Sequence, residues 1–526
     1  MKNKKIICVS LASTAALLLG GCAGGADVTF WAPFGSGYTT QLEVLVQRFN
    51  ESDAGFTVGV ESAGSYQNLQ KNINNSLATR GFPNFTLGYP DHFAGYIKSG
   101  IMIELDGYVK QYDIEHKAEL EALGYTSILD DFYQQYMTEN YTLKYKGNTD
   151  EGYLMGIPFN KSTELLSYNG YMWNYVVANS ELTDEDFPNT YAEWATVGAT
   201  IRQVVLDNLA GKVLFGTVDE EGTASNFEVK EKGTKTVEGK KLLLDCQYVN
   251  STNFRVFSWN DLDNMFITLV RQFGGKYTEY TKEDRINYKK GFAVFFDGEN
   301  KQKTIDALTV IDNLYKAGIF GTKKTIDPSA KNASDPFKNN LLFGLVSSSG
   351  GLSYNVSQND TRVRLHTIPY QDETHKYVIS QGTNFGLLDQ GTDLQLEQSF
   401  KAMIALSTGE MQGEWAATTG YYPATKSAYN SEAYQNFLKT NFNREPLKRA
   451  YKESTDITAN IYRYENEDVT LNWEQFVDPG FAGSSTIRDA VEPIVQNVIS
   501  RTGSTTIESV VQAIVNNLAS SGYTRK

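Results

Sequence analysis

Few side chains of this 526-residue chain have the spacing that catalysis or metal binding requires. The four histidines are scattered, and none belongs to a zinc-type pattern such as His-Glu-x-x-His. Nucleophile-elbow and phosphate-loop motifs are also missing. Residues 260–264, Asn-Asp-Leu-Asp-Asn, lack the glycine and distal glutamate of a calcium loop, so we interpret them as a helix start. We therefore predict no catalytic residue, no metal and no cofactor, although a glycosidase-like carboxylate pair stays open.

The N-terminus carries the clearest local pattern. Three lysines precede an apolar run over residues 6–19, which is too short for a permanent membrane helix. Small residues then lead to Cys22, an order typical of an export signal. They resemble the lipobox of bacterial lipoproteins, which implies a signal peptide over residues 1–22 and acylation of Cys22. Residues 23–27 would form the tether of an extracytoplasmic, membrane-anchored protein. The alternative is an ordinary cleaved signal with a chance cysteine.

Composition and charge exclude several classes of protein. The chain is 41% hydrophobic and 21% charged, with a net charge of −14, and its mean hydropathy is −0.38. This acidic balance argues against nucleic acid and against an anionic membrane surface as partners. Beyond Cys8 and Cys22, Cys246 is the one remaining thiol, so no internal disulfide is expected. The aromatic content of 13% fits either large cores or platforms for sugar rings.

Strands and helices alternate along the first part of the chain. Residues 28–31 and 56–60 read as strands, with a helix between them that Thr40 and Glu43 would cap. Ser65 is placed to cap a second helix, and residues 85–87 form a third strand. This alternation predicts an α/β fold with an open, mostly parallel sheet.

Further along the chain, helix and strand patterns continue on both sides of residues 211–250, which have an irregular composition. Thr190 precedes a helix that begins near Tyr191, and residues 341–346 read as a strand. Residues 211–250 are rich in Gly, Lys, Glu and Thr, and we interpret them as an inserted hairpin or surface excursion. A second capping box at Thr505 and Glu508 would start the last helix.

Several blocks, in order, resemble the extracellular solute-binding lipoproteins of ABC importers, in the cluster that binds sugars and sn-glycerol-3-phosphate. Tyr191 stands where the family has Trp, and residues 211–250 have no counterpart. The blocks are Val28-Thr29-Phe30-Trp31, Leu45 to Asn50, Tyr66-Gln67-x-Leu69 with Gly81-x-Pro83-x-Phe85, Gly156 to Thr163 with Tyr168-Asn169, Pro188-Asn189-Thr190-Tyr191-x-Glu193, and Trp415 with Thr419-Gly420-Tyr421-x-Pro423.

The resemblance implies a two-lobe, periplasmic-binding-protein-like fold of type II, with a ligand cleft between hinged lobes. It places residues 27–150 and 380–430 in the N-terminal lobe, and residues 151–379 and 431–526 in the C-terminal lobe. It implies a binding protein and not an enzyme. The expected partners are a small-molecule ligand and the transmembrane subunits of an ABC permease, and the expected state is a monomer.

By position, the resemblance also nominates ligand-binding residues. Asp91 is a displaced substitute for the family's acid, because Pro90 occupies the equivalent position. Core packing is the alternative for Trp31 and Phe34, and a flexible turn is the alternative for the serine cluster. The candidates are Trp31, Phe34, Tyr66, Tyr89, Asp91, Ser162, Trp259, Ser348, Ser349, Gly382, Tyr421 and Arg463.

Two ligand classes fit these candidates. A sugar or oligosaccharide would use aromatic faces and planar polar groups, whereas the Ser-Ser-Gly and Thr-Gly-Tyr blocks resemble the glycerol-phosphate branch. We expect a carbohydrate, with sn-glycerol-3-phosphate or a related glycerophosphodiester as the alternative. A surface glycan hydrolase and an adhesin are the competing classes of function.

Overall fold

A computed structural model describes residues 25–52, 54–280, 291–357, 359–462, 473–477 and 479–525. The predicted signal peptide with Cys22, and the candidate Arg463, lie outside these residues. In the described part of the chain, no helix has the length and apolar character needed to cross a bilayer.

The first sheet has five strands, and its N-terminal strand Val28–Ala32 lies between an edge strand and the central strand Phe85–Gly88. That strand pairs in parallel with Val58–Ser62 on one side and with Phe85–Gly88 on the other, as predicted. Asn384–Leu387 returns from far along the chain and runs antiparallel to Phe85–Gly88 and to Ile157–Pro158. In the core, Phe30 and Phe85 of these strands stack on each other, and Phe385 packs edge-on against both. We call this sheet and the helices around it the first lobe.

The second sheet has six strands and defines the second lobe. Its central strand, Ser162–Asn169, pairs antiparallel with three strands that follow much later in the chain. The six strands are Ser162–Asn169, Arg255–Trp259, Leu342–Ser348, Val363–His366, Tyr377–Gln381 and Glu474–Phe476. The buried ring of Trp194 packs against Phe257 and Phe343 in the core of this lobe.

Two short segments carry the chain between the sheets, and a third, longer passage follows between Asn384–Leu387 of the first sheet and Glu474–Phe476 of the second. Residues 159–161 leave the first sheet, and residues 382–383 return to it. The strand Ile157–Pro158 belongs to the first sheet, so the change of lobe comes after residue 158 and not after residue 150. The other lobe limits drawn from the sequence stay predictions.

Residues 212–245 form a third, separate sheet of three antiparallel strands, Lys212–Val218, Ala224–Glu231 and Lys241–Asp245. A turn of this sheet contacts the second lobe, because the Arg364 guanidinium donates to the carbonyl oxygens of Glu221 and Gly222. The short strands Thr278–Glu279 and Phe292–Ala293 pair elsewhere in the chain.

The helices surround the sheets, and several begin where the sequence predicts. Ser65 accepts a capping hydrogen bond from Asn68, and Thr190 forms a capping box with Glu193. The helices are Ser36–Asn50, Tyr66–Ser76, Pro90–Lys98, Asp106–Glu115, Lys117–Ala122, Gln134–Thr138, Gly170–Ala178, Tyr191–Asn208, Leu262–Gln272, Glu299–Lys316, Lys323–Ile326, Ser334–Lys338, Leu352–Asn355, Asp393–Ser407, Gly409–Thr419, Lys426–Tyr429, Glu432–Lys439, Pro446–Tyr462, Ser484–Val491, Pro493–Ile499 and Ile507–Ser520.

Two predicted helix starts were wrong. The first helix begins at Ser36 after Gly35, so Thr40 lies inside it and caps nothing. The last helix is capped by Thr506 with Ser509, one residue later than the predicted pair. At the last helix the adjacent Thr505 and Thr506 offer similar caps, whereas the first helix follows Gly35 and has no side-chain cap.

Candidate functional site

A cavity of about 530 Å³ lies between the two lobes. The first lobe supplies the start of the helices Tyr66–Ser76 and Pro90–Lys98. The second lobe supplies the start of Leu262–Gln272, the end of the strand Tyr377–Gln381 and the helix Ser484–Val491. Ligands of α/β lobes bind beyond the carboxyl ends of strands, which is where these elements meet.

The first-lobe wall is built from two tyrosines. Their rings, Tyr66 and Tyr89, lie 5.0 Å apart at centroid with an interplanar angle of 52°. Burial raises the pKa of Tyr66 to about 12 and raises the pKa of Tyr89 well above 10. Both hydroxyls therefore stay protonated at neutral pH and can donate hydrogen bonds, and the ring faces offer an apolar platform. Asp91 and His92 line the cavity beside them.

The second-lobe wall carries acidic and amide groups around one guanidinium. Asp261, Asp263 and Asn264 stand at the start of a helix, directly after the strand Arg255–Trp259. Arg488 lies 3.3 Å from an Asp263 oxygen and donates to Asn264 Oδ1 at 2.5 Å. This guanidinium is thus held by its own lobe.

The floor of the cavity lies at the two short crossings, residues 159–161 and 382–383. Gly382 lines it with φ of 103°, a conformation that favours glycine. Next to it, Gln381 is only 9% exposed, and its Oε1 makes no hydrogen bond among the described residues. Glu139 also lines the floor, and its carboxylate forms a salt bridge with Lys161 Nζ at 2.7 Å.

The structure brings five of the predicted site residues to this cavity: Tyr66, Tyr89, Asp91, Ser348 and Gly382. Two predicted serines stand just behind it. Ser162 is buried and accepts a hydrogen bond from Ser348 at 3.3 Å. Ser349 is also buried, and its hydroxyl accepts from the backbone N–H of Thr163 at 3.3 Å.

The predicted aromatic platforms other than Tyr66 and Tyr89 do not line this cavity. Trp31 packs against the core around Leu69, and the buried Phe34 lies 5.5 Å from the ring of Trp415. Tyr421 stacks at 6.3 Å on that same tryptophan. For Trp31 and Phe34 these contacts agree with the core-packing alternative, because each ring is held in its own lobe.

Trp259 is buried as well, and its Nε1 donates to Glu164 Oε1 at 2.9 Å. Glu164 is itself completely buried, and its second oxygen makes no hydrogen bond among the described residues. The indole therefore donates to a buried carboxyl group and presents no open face to this cavity.

The buried carboxyl group of Glu164 should make the stability of the protein depend on pH. Burial raises the pKa of Glu164 well above 4.5, against the opposing hydrogen bond from Trp259. The native state then binds a proton more tightly than the unfolded state, so stability is lost as pH rises above about 4.5. We expect Glu164→Gln to match the wild type at low pH and to become the more stable protein as pH rises, by up to about 1.4 kcal/mol per pH unit.

Urea unfolding at several pH values measures this difference. The exposed control Glu185→Gln should follow the wild type throughout. A constant offset between Glu164→Gln and the wild type at all pH values would contradict the expectation.

Sequence reasoning missed most of the second-lobe wall. The sequence pattern predicts only a helix start at Asp261 and Asp263, and it nominates neither Arg488 nor Gln381. The available signal was that the acidic pair follows an apolar strand, at the end where α/β lobes bind ligands. For Arg488 no local signal exists, because it reaches the cavity from a helix more than 200 residues further along the chain.

The chain belongs to the bacterial extracellular solute-binding protein family, whose model matches residues 44–440. The fold is that of the type II, two-lobe members, as predicted. The sequence matches none of the curated proteins.

Solved structures of similar fold span nearly the whole chain. UgpB from Mycobacterium tuberculosis in complex with glycerophosphocholine shares 15% identity, covers 94% of this chain and 97% of its own, and has a TM-score of 0.62. An ABC substrate-binding protein from Listeria monocytogenes in complex with cycloalternan shares 14% identity. It covers 95% of this chain and 99% of its own, with a TM-score of 0.61. Maltose-bound MalE3 from T. maritima shares 15% identity. It covers 93% of this chain and 98% of its own, with a TM-score of 0.60. At these identities the likeness establishes the fold.

Proposed function

We propose that this chain is the substrate-binding lipoprotein of an ABC importer and that it captures a carbohydrate for a membrane permease. The observation that carries the proposal is a cavity between two lobes, with two tyrosine rings on one wall and planar polar groups on the other. Sugars present apolar ring faces and paired hydroxyls, which match these two kinds of surface. Closure of the lobes would exclude water and strengthen the polar contacts. No bond is made or broken in this role.

The proposed location follows from the N-terminal sequence. Acylation at Cys22 would hold the protein at the outer face of the cytoplasmic membrane, with the lobes joined to the anchor by a short tether. The membrane contact would be made by the lipid alone, and the mature chain would work as a monomer. Among the solved structures of similar fold, the protein from Listeria monocytogenes carries cycloalternan and MalE3 carries maltose.

A glycerophosphodiester is the second candidate ligand. It is favoured by Ser348, which lines the cavity, and by the glycerophosphocholine bound to UgpB. The charges of the walls oppose it, because among the described residues the one guanidinium that lines the cavity already contacts Asp263 and Asn264. A phosphate would then lie among carboxylates without a dedicated cation.

Binding can be tested on the mature protein by calorimetry and by melting temperature, with maltodextrins and glycerol phosphates as probes. A ligand at one hundred times its Kd stabilises the native state by about 2.7 kcal/mol, so a true ligand raises the melting temperature. Binding of maltodextrins but not of glycerol phosphates supports the carbohydrate, and the reverse supports the second candidate. Hydrolysis of the sugar would indicate an enzyme, and no shift with either probe would contradict both transport proposals.

The Gln381 side chain gives a sharper prediction. Its unpaired Oε1 is available to a hydroxyl of the ligand, so we expect Gln381→Ala to weaken binding about tenfold, the value of one good hydrogen bond. The ligand-free protein should lose only the packing of the shortened side chain, since no internal hydrogen bond of that oxygen is lost.

Gln41→Ala is a matched control. Gln41 also has a buried Oε1 without a hydrogen bond among the described residues, but it does not line the cavity. The control should bind like the wild type. Equal affinities for the Gln381 and Gln41 variants would show that the ligand does not use this cavity.

A further inference from the structure

The charge of the cavity is strongly one-sided. Among the described residues, its lining has six carboxylates and a single guanidinium: Asp91, Glu139, Asp261, Asp263, Asp489 and Glu492 against Arg488. Lys161 neutralises Glu139, and Arg488 contacts Asp263. The ion pairs among the described residues thus engage two of the six acids and leave four around the cavity.

These carboxylates are not all explained by local structure. Asp91 and Asp263 stand in first turns of helices, where the helix dipole favours an acid. Asp261 is different, because it occupies the N-cap position but its carboxylate makes no capping hydrogen bond. The side chain of the adjacent Asn260 donates to this carboxylate, and its remaining acceptor positions are available to the cavity that it lines.

The acids of the two lobes line the same cavity and act on one another electrostatically. Burial raises the pKa of Asp489, and Asp263 of its own lobe and Asp91 of the first lobe raise it further, against Arg488 and His92. Burial likewise raises the pKa of Asp261, and the neighbouring Asp263 adds to this. Like charges from both lobes thus oppose closure unless a cation lies between them.

Gln381 is a second, independent pointer to a ligand. Its amide side chain lines the cavity, is 91% buried, and carries an Oε1 that makes no hydrogen bond among the described residues. An unpaired buried acceptor calls for a donor. Carboxylates and an amide oxygen together match a group that has both positive charge and N–H bonds.

We propose that the captured solute is a polyhydroxylated molecule that bears a protonated amine, with its ammonium group between the carboxylates of the two lobes. The proposal deepens the proposed function and rests on it. Ammonium N–H groups donate to the carboxylates and to Gln381, and the faces of Tyr66 and Tyr89 attract the same charge. A free divalent metal fits less well, because no three acidic, histidine or cysteine side chains of the described residues are grouped as metal ligands.

Glucosamine oligomers and their N-acetylated counterparts form a matched pair of probes, since they differ in the charge on nitrogen. We expect calorimetry on the mature protein to give at least about tenfold tighter binding for the glucosamine oligomer of two to four units. The preference should shrink as salt is added, because screening weakens exposed charges.

Asp261→Asn tests the site directly. It should weaken binding of the glucosamine oligomer about tenfold and leave the affinity for the acetylated oligomer within about twofold. Asp207→Asn changes an exposed helical aspartate that does not line the cavity, and it should change neither affinity.

The possible outcomes separate this inference from the proposed function. Equal or tighter binding of the acetylated oligomer or of a maltodextrin overturns the ammonium site and leaves carbohydrate capture standing. Binding of glycerophosphocholine alone also overturns it, because a quaternary ammonium has no N–H to donate. Binding of none of these probes overturns both.

Discussion

Replacing Gly382 with alanine is expected to destabilise the protein by about 4 kcal/mol and to abolish solute binding. Gly382 has a φ of 103°, which costs a residue with a Cβ about 1–3 kcal/mol. A Cβ at this position would lie 1.7 Å from the carbonyl oxygen of Asn160. That oxygen belongs to the other crossing segment, so the two crossings could not stay in contact. Forced displacement of packed atoms adds about 1–3 kcal/mol.

The consequence for binding follows from where the clash lies. Gly382 lines the cavity floor, and residues 159–161 and 382–383 join the lobes. Moving these segments apart changes both the floor and the angle between the lobes. Any Gly382→Ala protein that still folds should therefore lose affinity for every ligand, whatever its chemistry.

Gly107→Ala is the control for this prediction. A Cβ at Gly107 would meet nothing within 4 Å, and the residue lies in the helix Asp106–Glu115. Alanine there should raise the free energy of unfolding slightly, by about 0.4–1 kcal/mol. Urea unfolding and calorimetry compare the two variants, and a Gly382→Ala protein as stable as the wild type would contradict the close approach of the crossings.

The first-lobe wall was within reach of sequence reasoning because its signals are local. Ser65 caps the helix that starts at Tyr66, so a capping pattern alone places that ring at a helix start. Tyr89 follows a short buried strand and precedes the helix that Pro90 opens. In both cases the residue lies within a few positions of the feature that orients it.

The second-lobe wall was out of reach because its contacts are distant in sequence. Trp259 was expected to offer a stacking face, but its indole reaches Glu164, 95 residues earlier, and is buried there. Arg488 meets Asn264 across 224 residues. No periodicity records such pairings, since they depend on how six strands from separate parts of the chain assemble into one sheet.

Replacing Lys161 with methionine should destabilise the protein by about 3–5 kcal/mol. Lys161 is fully buried, and its ammonium donates to Glu139 Oε1 at 2.7 Å and to Asn384 Oδ1 at 3.0 Å. Burial lowers the pKa of this lysine, while Glu139 opposes the shift. Methionine fills a similar volume without the charge. The loss of stability therefore measures the cost of leaving the Glu139 carboxylate buried without its partner.

A second substitution separates the pair from the packing around it. In Lys161→Met with Glu139→Gln, no net charge stays buried, and the glutamine can still accept from Asn384, which donates to Glu139 at 2.6 Å in the wild type. The double variant should regain most of the lost stability, because neutral replacement of buried ion pairs is often close to neutral in energy. Lys117→Met breaks an exposed pair with Glu121 and should cost less than about 0.5 kcal/mol.

The buried contacts of Lys161 also tie stability to the hinge, because Lys161, Glu139 and Asn384 come from different segments. Glu139 stands in the first lobe, Lys161 ends one crossing, and Asn384 begins the strand after the other. Loss of the ammonium should therefore loosen both crossings together, and the single variant should bind solute more weakly as well as unfold more easily. Guanidinium unfolding and calorimetry on the same preparations test both effects. A double variant no more stable than Lys161→Met would show that lysine packing, and not the charge of Glu139, sets the loss.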